Sequence, residues 1–307
     1  MPILRPQSAA AALGLGLVLA TAGAATPADR PLQVTVSIPP LAWFVEQVAG
    51  DLAEVTVLVG PGDSPHTYEP TPRQMAGLAA SELFLAAGVP FERGLRPRIA
   101  AMPGGPRLAG PLADGPDHGH DDHRAHGDGH DHAHDHADGL DPHTWLSPAP
   151  AGAIGDTLVL ALGRLLPDHA ERLAAGRAAL QERIDRADAE ARAALGGRAG
   201  GVFLVFHPAF GHFAAAYGLQ QLAIEDQGHE PGARRLAEVT SQARAAGVGA
   251  VVVQPQFSRR AAEAVAASLG VPVAVLDPLA QDWDTNFTHI ARTLAGVLGR
   301  PGGGARP

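Results

Sequence analysis

The sequence predicts an α/β protein of two lobes, each with a parallel sheet flanked by helices, joined by one long rigid helix. Three observations predict it. Short β-rich runs alternate with helical patterns in two separate blocks, which is the rhythm of right-handed βαβ units and parallel sheets. Between the blocks lies a stretch rich in Ala, Leu, Arg and Glu, all good helix formers apart from its single glycine. The length of 307 residues suits about two domains of roughly 150 residues each.

In the first block, Gln33–Ile38 (QVTVSI) reads as a strand and Leu41–Val48 as a helix after the Pro39-Pro40 break. Glu54–Val59 is a second strand, Pro72–Ala80 a helix and Leu83–Ala86 a short third strand. In the second block, strands are predicted at Val202–Phe206, Leu219–Ile224, Ala250–Val253 and Val273–Leu276. Helices are predicted at Phe210–Tyr217, Gly232–Ala246, Ser258–Leu269 and Asp284–Leu298. The connecting stretch, Pro167 to Leu195, places Leu173, Leu180 and Ile184 at helical spacing. A helix of that length would run about 42 Å, too long for one lobe, so it is read as the link between them. The alternative is two helices broken at Gly176, although one internal glycine costs only ~1 kcal/mol.

Composition narrows the class. At 46% apolar residues the chain is globular, and a net charge of -9 argues against a nucleic-acid binder. The absence of cysteine removes disulfides, thiolate nucleophiles, zinc fingers and iron–sulfur ligation. Met1–Arg5, the apolar run Ala9–Ala20 and the small residues Ala22-Gly23-Ala24 form a secretory signal pattern over 1–24, too short for a membrane span. With no cysteine beside the cleavage site, no lipid anchor is expected. The mature chain is expected to be soluble and extracytoplasmic, starting near Ala25, without stable membrane insertion. The predicted layout is an N-terminal lobe over 25–165, the connecting helix over 166–197 and a C-terminal lobe over 198–307.

Gly104 to Gly139 is a compositional break, dense in Gly, Pro, Asp and His, and predicted to be a mobile loop that buries no core. Eight of the 15 histidines and six aspartates fall between Asp117 and His136. Such tracts read as metal-binding. An affinity tag would be terminal and uniform, and a merely solvated loop leaves so much imidazole unexplained.

Four other segments place a potential metal ligand in a loop or just past a strand, where open α/β folds bind ligands. They are His66 in GPGDSPHTYEP, His143 in DPHTWLSP, His207 after VFLVF, and Asp277 after Val273–Leu276. Two lie in each half of the chain, as a site between lobes requires. The segments SPHTYEPTPRQ, DPHTWLSP, FHPAFGHFAAAYGL and VLDPLA resemble, in that order, the periplasmic zinc-binding proteins of bacterial ABC importers, the ZnuA type of the metal-binding solute-binding family. The resemblance covers essentially the whole mature chain. It implies two α/β lobes joined by a rigid helix and one metal in the cleft, delivered to a membrane permease powered by a cytoplasmic ATPase. It implies His66, His143 and His207 as imidazole ligands, with Asp277 as fourth ligand or the fourth place left to water. The sequence departs from some relatives in having Pro65 before the first histidine, where they carry an acid, and in lacking their C-terminal disulfide.

Three neutral nitrogens plus one oxygen suit tetrahedral Zn²⁺, whereas manganese prefers carboxylate and water. The expected function is therefore high-affinity capture of Zn²⁺, acting as a monomer and not as an enzyme, with weaker Zn²⁺ sites in the histidine loop. Binding is expected to weaken below about pH 6 as imidazoles protonate. The alternatives are a manganese- or iron-binding member of the same family and an extracytoplasmic zinc hydrolase. The hydrolase lacks an HExxH motif and has only Glu69, Glu225 and Glu230 as loop acids. Of the remaining histidines, His169 and His289 read as surface or packing residues, His212 as exposed or behind a ligand, and His229 as a turn residue beside Glu230 in a segment that resembles one near the cleft in relatives. Trp145 and Trp283 are expected near the cleft mouth.

Overall fold

The computed structural model describes residues 30–111, 141–225 and 232–298. The signal segment 1–24, the histidine tract Asp117–His136 and His229 lie outside the described residues. The residues from Pro31 onward form one compact unit. Within it are two parallel four-stranded sheets.

The first sheet has the order β2-β1-β3-β4, built from β1 (Leu32–Val36), β2 (Ala53–Val57), β3 (Leu83–Leu85) and β4 (Arg107–Ala109). The second has the order β6-β5-β7-β8, built from β5 (Val202–Val205), β6 (Gln220–Ala223), β7 (Ala250–Val253) and β8 (Val273–Val275). The central strands VFLV and AVVV are buried along their whole length, as strands of a parallel sheet covered on both faces must be. The helices are α1 (Pro39–Ala49), α2 (Pro72–Ala80), α3 (Pro90–Ala100), α4 (Pro148–Leu165) and α5 (Ala170–Leu195), then α6 (Gly211–Ala216), α7 (Ala233–Ala245), α8 (Arg259–Leu269) and α9 (Trp283–Val297). None of the described helices is long and apolar enough to cross a membrane.

Three sequence expectations are corrected. Pro39-Pro40 begins α1 instead of preceding it, because a proline in the first turn gives up an N–H that has no partner there anyway. The break expected from Gly104 starts later, since Arg107–Ala109 pairs in parallel with Leu83–Leu85 as an edge strand. Three residues are too few to show alternation, and the strand leads into Gly110, whose backbone approaches Ala86 so closely that a Cβ would lie 2.3 Å from its carbonyl oxygen. The sequence reading also passed over α3 and α4, which carry Gly94 and Pro97, and Gly152, Gly155 and Gly163, respectively.

Helix α5 is continuous through Gly176 and follows a 3₁₀ turn at Pro167–His169. Its buried stripe is Leu173, Leu180, Ile184, Ala187, Ala191 and Leu195. It packs against α1 and α4 on one side and α9 on the other. A Cβ on Gly176 would lie 2.3 Å from the carbonyl oxygen of Val48, so the glycine marks a backbone-to-backbone contact with α1 and not a break. Arg183 ties three helices together: it donates to Asp284 of α9 and to Gln47 of α1, each at 2.7 Å. Its guanidinium also sits 5.0 Å from the Trp43 ring centroid. A single hydrophobic cluster runs from Val36 and Leu85 through Trp145 and Leu180 to Val205 and Phe287.

Glu92, with 0% of its surface exposed, accepts the backbone N–H groups of Ala87 at 2.8 Å and Gly88 at 2.7 Å. Burial pushes its carboxyl up from 4.5 to about 7, against the lowering effect of hydrogen bonds from Ser37 and from the backbone at Ala87, Gly88 and Val89. The folded protein therefore holds this proton more tightly than the unfolded chain does. Its stabilising effect is complete below pH 4.5 and is lost as pH rises through about 7. At one pKa unit per ~1.4 kcal/mol, the loss is on the order of 3 kcal/mol. Denaturant titrations of wild type and Glu92→Gln across this range should show the variant losing less stability; parallel curves would contradict the assignment.

Candidate metal centre

The second sheet positions His207 through its strand order. β6 and β7 lie on either side of β5, so the residues just past these three strands meet at one edge. His207 lies two residues past β5, Glu225 two past β6 and Gln254 one past β7. Glu225 Oε1 sits 2.6 Å from His207 Nδ1, and the side chain of Glu225 is only 6% exposed. Gln254 grips the backbone of His207, accepting its N–H at 3.4 Å and donating to its carbonyl at 2.5 Å. Phe257 stacks on the imidazole with centroids 5.7 Å apart. His207 is therefore held from both neighbouring strands.

His143 stands at the entrance to the 3₁₀ turn Thr144–Leu146. Its backbone N–H and its Nδ1 both meet Asp141 Oδ1, at 2.9 and 2.6 Å. Burial works to raise the Asp141 carboxyl, but hydrogen bonds from His143, with the attraction of His143 and His212 in their protonated forms, prevail and hold it below the usual carboxylate range. Asp141 also touches the second lobe: its carbonyl is 3.0 Å from His212 Nε2. Gly211 presses against it, with room for no Cβ beside Asp141 Oδ2. His66 comes from the loop after β2. That loop is pinned by the Tyr68 hydroxyl donating to the Leu58 carbonyl, by Gln74 Nε2 donating to the same oxygen at 2.9 Å, and by the Tyr68 ring against Phe91 at 5.0 Å.

The structure brings His66, His143 and His207 together. One ligand atom from each lies within 4.8 Å of the others, and the Nε2 atoms of His143 and His207 are 3.3 Å apart. A cavity of about 20 Å³ is lined by the three histidines together with Pro65, Phe257 and Leu279. It is the size of a single ion or water. Asp277 is not in this group. Its Oδ1 accepts the Leu279 N–H at 2.9 Å and Gln256 Nε2 at 3.4 Å, and its carbonyl accepts from Asn286 at 2.8 Å. Trp145 and Trp283 are buried, and the Trp145 ring centroid lies 5.3 Å from that of His143. Trp145 Nε1 donates to the Pro278 carbonyl at 2.8 Å, and Trp283 Nε1 donates to the Trp145 carbonyl at 2.7 Å. His289 is exposed and His169 partly so.

The reading of the sequence missed the carboxylates behind the imidazoles. Asp141 stands in DPHTWLSP two residues before His143, and the sequence offers Glu225 only as a loop acid. The available signal for Glu225 was its offset of two residues past its strand, matching that of His207.

A cluster of three imidazoles, one half-buried and two buried and backed by carboxylates, defines a binding site for a cation that prefers nitrogen donors. The chain belongs to the family of the periplasmic zinc-uptake complex component A (ZnuA), whose family model matches residues 34–297. It is 28% identical over 272 residues to the zinc-binding lipoprotein AdcA of Streptococcus pneumoniae, covering 82% of this chain and 51% of that protein. The chain thus spans about half the length of the curated relatives it matches. A crystal structure of ZnuA is similar with a TM-score of 0.76 at 33% identity, covering 87% of this chain and 99% of that one. A zinc-bound ZnuA deletion mutant is similar with a TM-score of 0.73 at 33% identity, covering 90% and 100%.

Proposed function

We propose that this protein captures Zn²⁺ with high affinity in the periplasm and delivers it to the permease of an ABC-type zinc importer. The observation that carries the proposal is the convergence of His66, His143 and His207 on an ion-sized space. Three imidazoles favour zinc over manganese, which prefers oxygen ligands. The names of the relatives, zinc-binding AdcA and zinc-bound ZnuA, point the same way. Water takes the fourth position, because Asp277 stands outside the histidine group, with its Oδ1 turned to Leu279 and Gln256. The protein acts in transport and not as a hydrolase: a zinc hydrolase needs a general base free to act on the bound water. Among the described residues, the two acids in contact with the triad, Asp141 and Glu225, are both committed to ligand Nδ1 atoms.

The histidine tract from Asp117 to His136 supplies additional weak zinc sites that collect the ion. The test is metal analysis of protein purified without a nickel column, followed by competition between zinc and manganese. Zinc should be retained and should displace manganese, and removal of Asp117–His136 should abolish the weak binding events while sparing one tight one. Preferential retention of manganese or iron would overturn the metal assignment, and loss of the tight event with the tract would move the primary site there.

A further inference from the structure

We infer that Asp141 and Glu225 are positioning residues that set both the orientation of the metal site and its preference for doubly charged ions. The inference rests on the reading of the triad as a cation site and adds what governs its selectivity. Each carboxylate lies 2.6 Å from the Nδ1 of a buried histidine. A carboxylate can only accept, so each contact needs a proton on Nδ1, and a neutral imidazole then presents a bare lone pair at Nε2. Those two Nε2 atoms face one another at 3.3 Å. Neither acid touches the triad's central space; each acts through the imidazole in front of it.

The charge balance gives the second half of the inference. Among the described residues neither Asp141 nor Glu225 is paired with an arginine or lysine; their ion-pair partners are histidines, His143 and His212 for Asp141 and His207 for Glu225. The two acids come from opposite lobes and are 22% and 6% exposed in their side chains. Two partly desolvated negative charges therefore stand behind a neutral triad, and one divalent cation balances them. A monovalent cation leaves one charge uncompensated. The attraction of this pair for an ion scales with the ion's charge. Neutralising one carboxylate should thus weaken a divalent ion by about the square of the factor by which it weakens a monovalent one.

The test uses the full chain with Glu225→Gln and Asp141→Asn, amides that can still accept the Nδ1 proton while losing the charge. Zinc affinity should fall about 10- to 100-fold in each, the usual range for a group behind a metal ligand. Silver(I) affinity should fall only by about the square root of that factor. Zinc affinity within twofold of wild type would overturn the inference, and equal losses for zinc and silver would overturn its charge component. Nitrogen–proton correlation spectra of the metal-free wild type provide a readout that needs neither variant nor metal. His143 and His207 should appear protonated at Nδ1, and Nε2-protonated rings would overturn the orienting role. Failure of the zinc reading itself would appear separately, as a wild type with no tight zinc event.

Discussion

Replacing His143 with alanine should lower zinc affinity on the order of a thousandfold, about 4 kcal/mol, and abolish the tight event seen in a calorimetric titration. His143 is 4% exposed, so its imidazole already stands desolvated at the site. Without it, two nitrogens remain and a second water must fill the place the imidazole held. The loss reaches beyond the ligand, because Asp141 keeps its place against Gly211 and His212 but loses the Nδ1 proton it accepts. Oδ1 still accepts the backbone N–H of residue 143, so the lost bond should cost the metal-free variant only about 1 kcal/mol of stability. Excess zinc stabilises a binder by about 4 kcal/mol at a thousand times its dissociation constant, and the variant should show almost none of that shift at the same concentration. Equal zinc affinity in wild type and variant would remove His143 from the site.

Trp145→Ala should cost about 3–5 kcal/mol of stability, the range for deleting a large buried aromatic side chain. Trp145 is 1% exposed and lies two residues after His143, with its ring centroid 5.3 Å from the imidazole. It bridges the halves of the molecule in both directions, donating to Pro278 through Nε1 and accepting from Trp283 through its carbonyl. The alanine variant removes the first bond and leaves a void beside a ligand. Trp145→Phe separates these effects: it keeps most of the volume, loses the bond to Pro278, and should cost only about 1–3 kcal/mol. Denaturant unfolding monitored without metal measures both, and an alanine cost below the phenylalanine cost would contradict this account. Zinc binding should weaken in the alanine variant as well, since His143 loses the wall against which its ring rests.

The alternation of strands and helices was legible because most strands carry an apolar or alternating run, and α5 because its buried stripe keeps one period from Leu173 to Leu195. The three histidines were legible as isolated imidazoles in turn-rich loops or just past a strand. Their supporting groups were not, since Glu225 reaches His207 only through a strand order in which β6 flanks β5. Nothing local to either residue encodes that neighbour. The same holds for Gly176: its spacing reads as a possible break, and only the approach of Val48 explains it. Asp277 illustrates the converse, a residue past a strand whose carboxylate is engaged by its own turn and by Gln256.

The contact at Gly176 bears on where affinity comes from. Backbones that meet without an intervening side chain interlock like adjacent threads, so α1 and α5 resist sliding along one another. A frame stiffened in this way gathers its ligands during folding, before any ion arrives, and little conformational entropy is left to lose on binding. Tight capture by such a site reflects a small reorganisation cost more than any single strong bond. Release then requires an outside push, and a partner that deforms the ligand loops is better placed to provide it than a spontaneous opening of the frame.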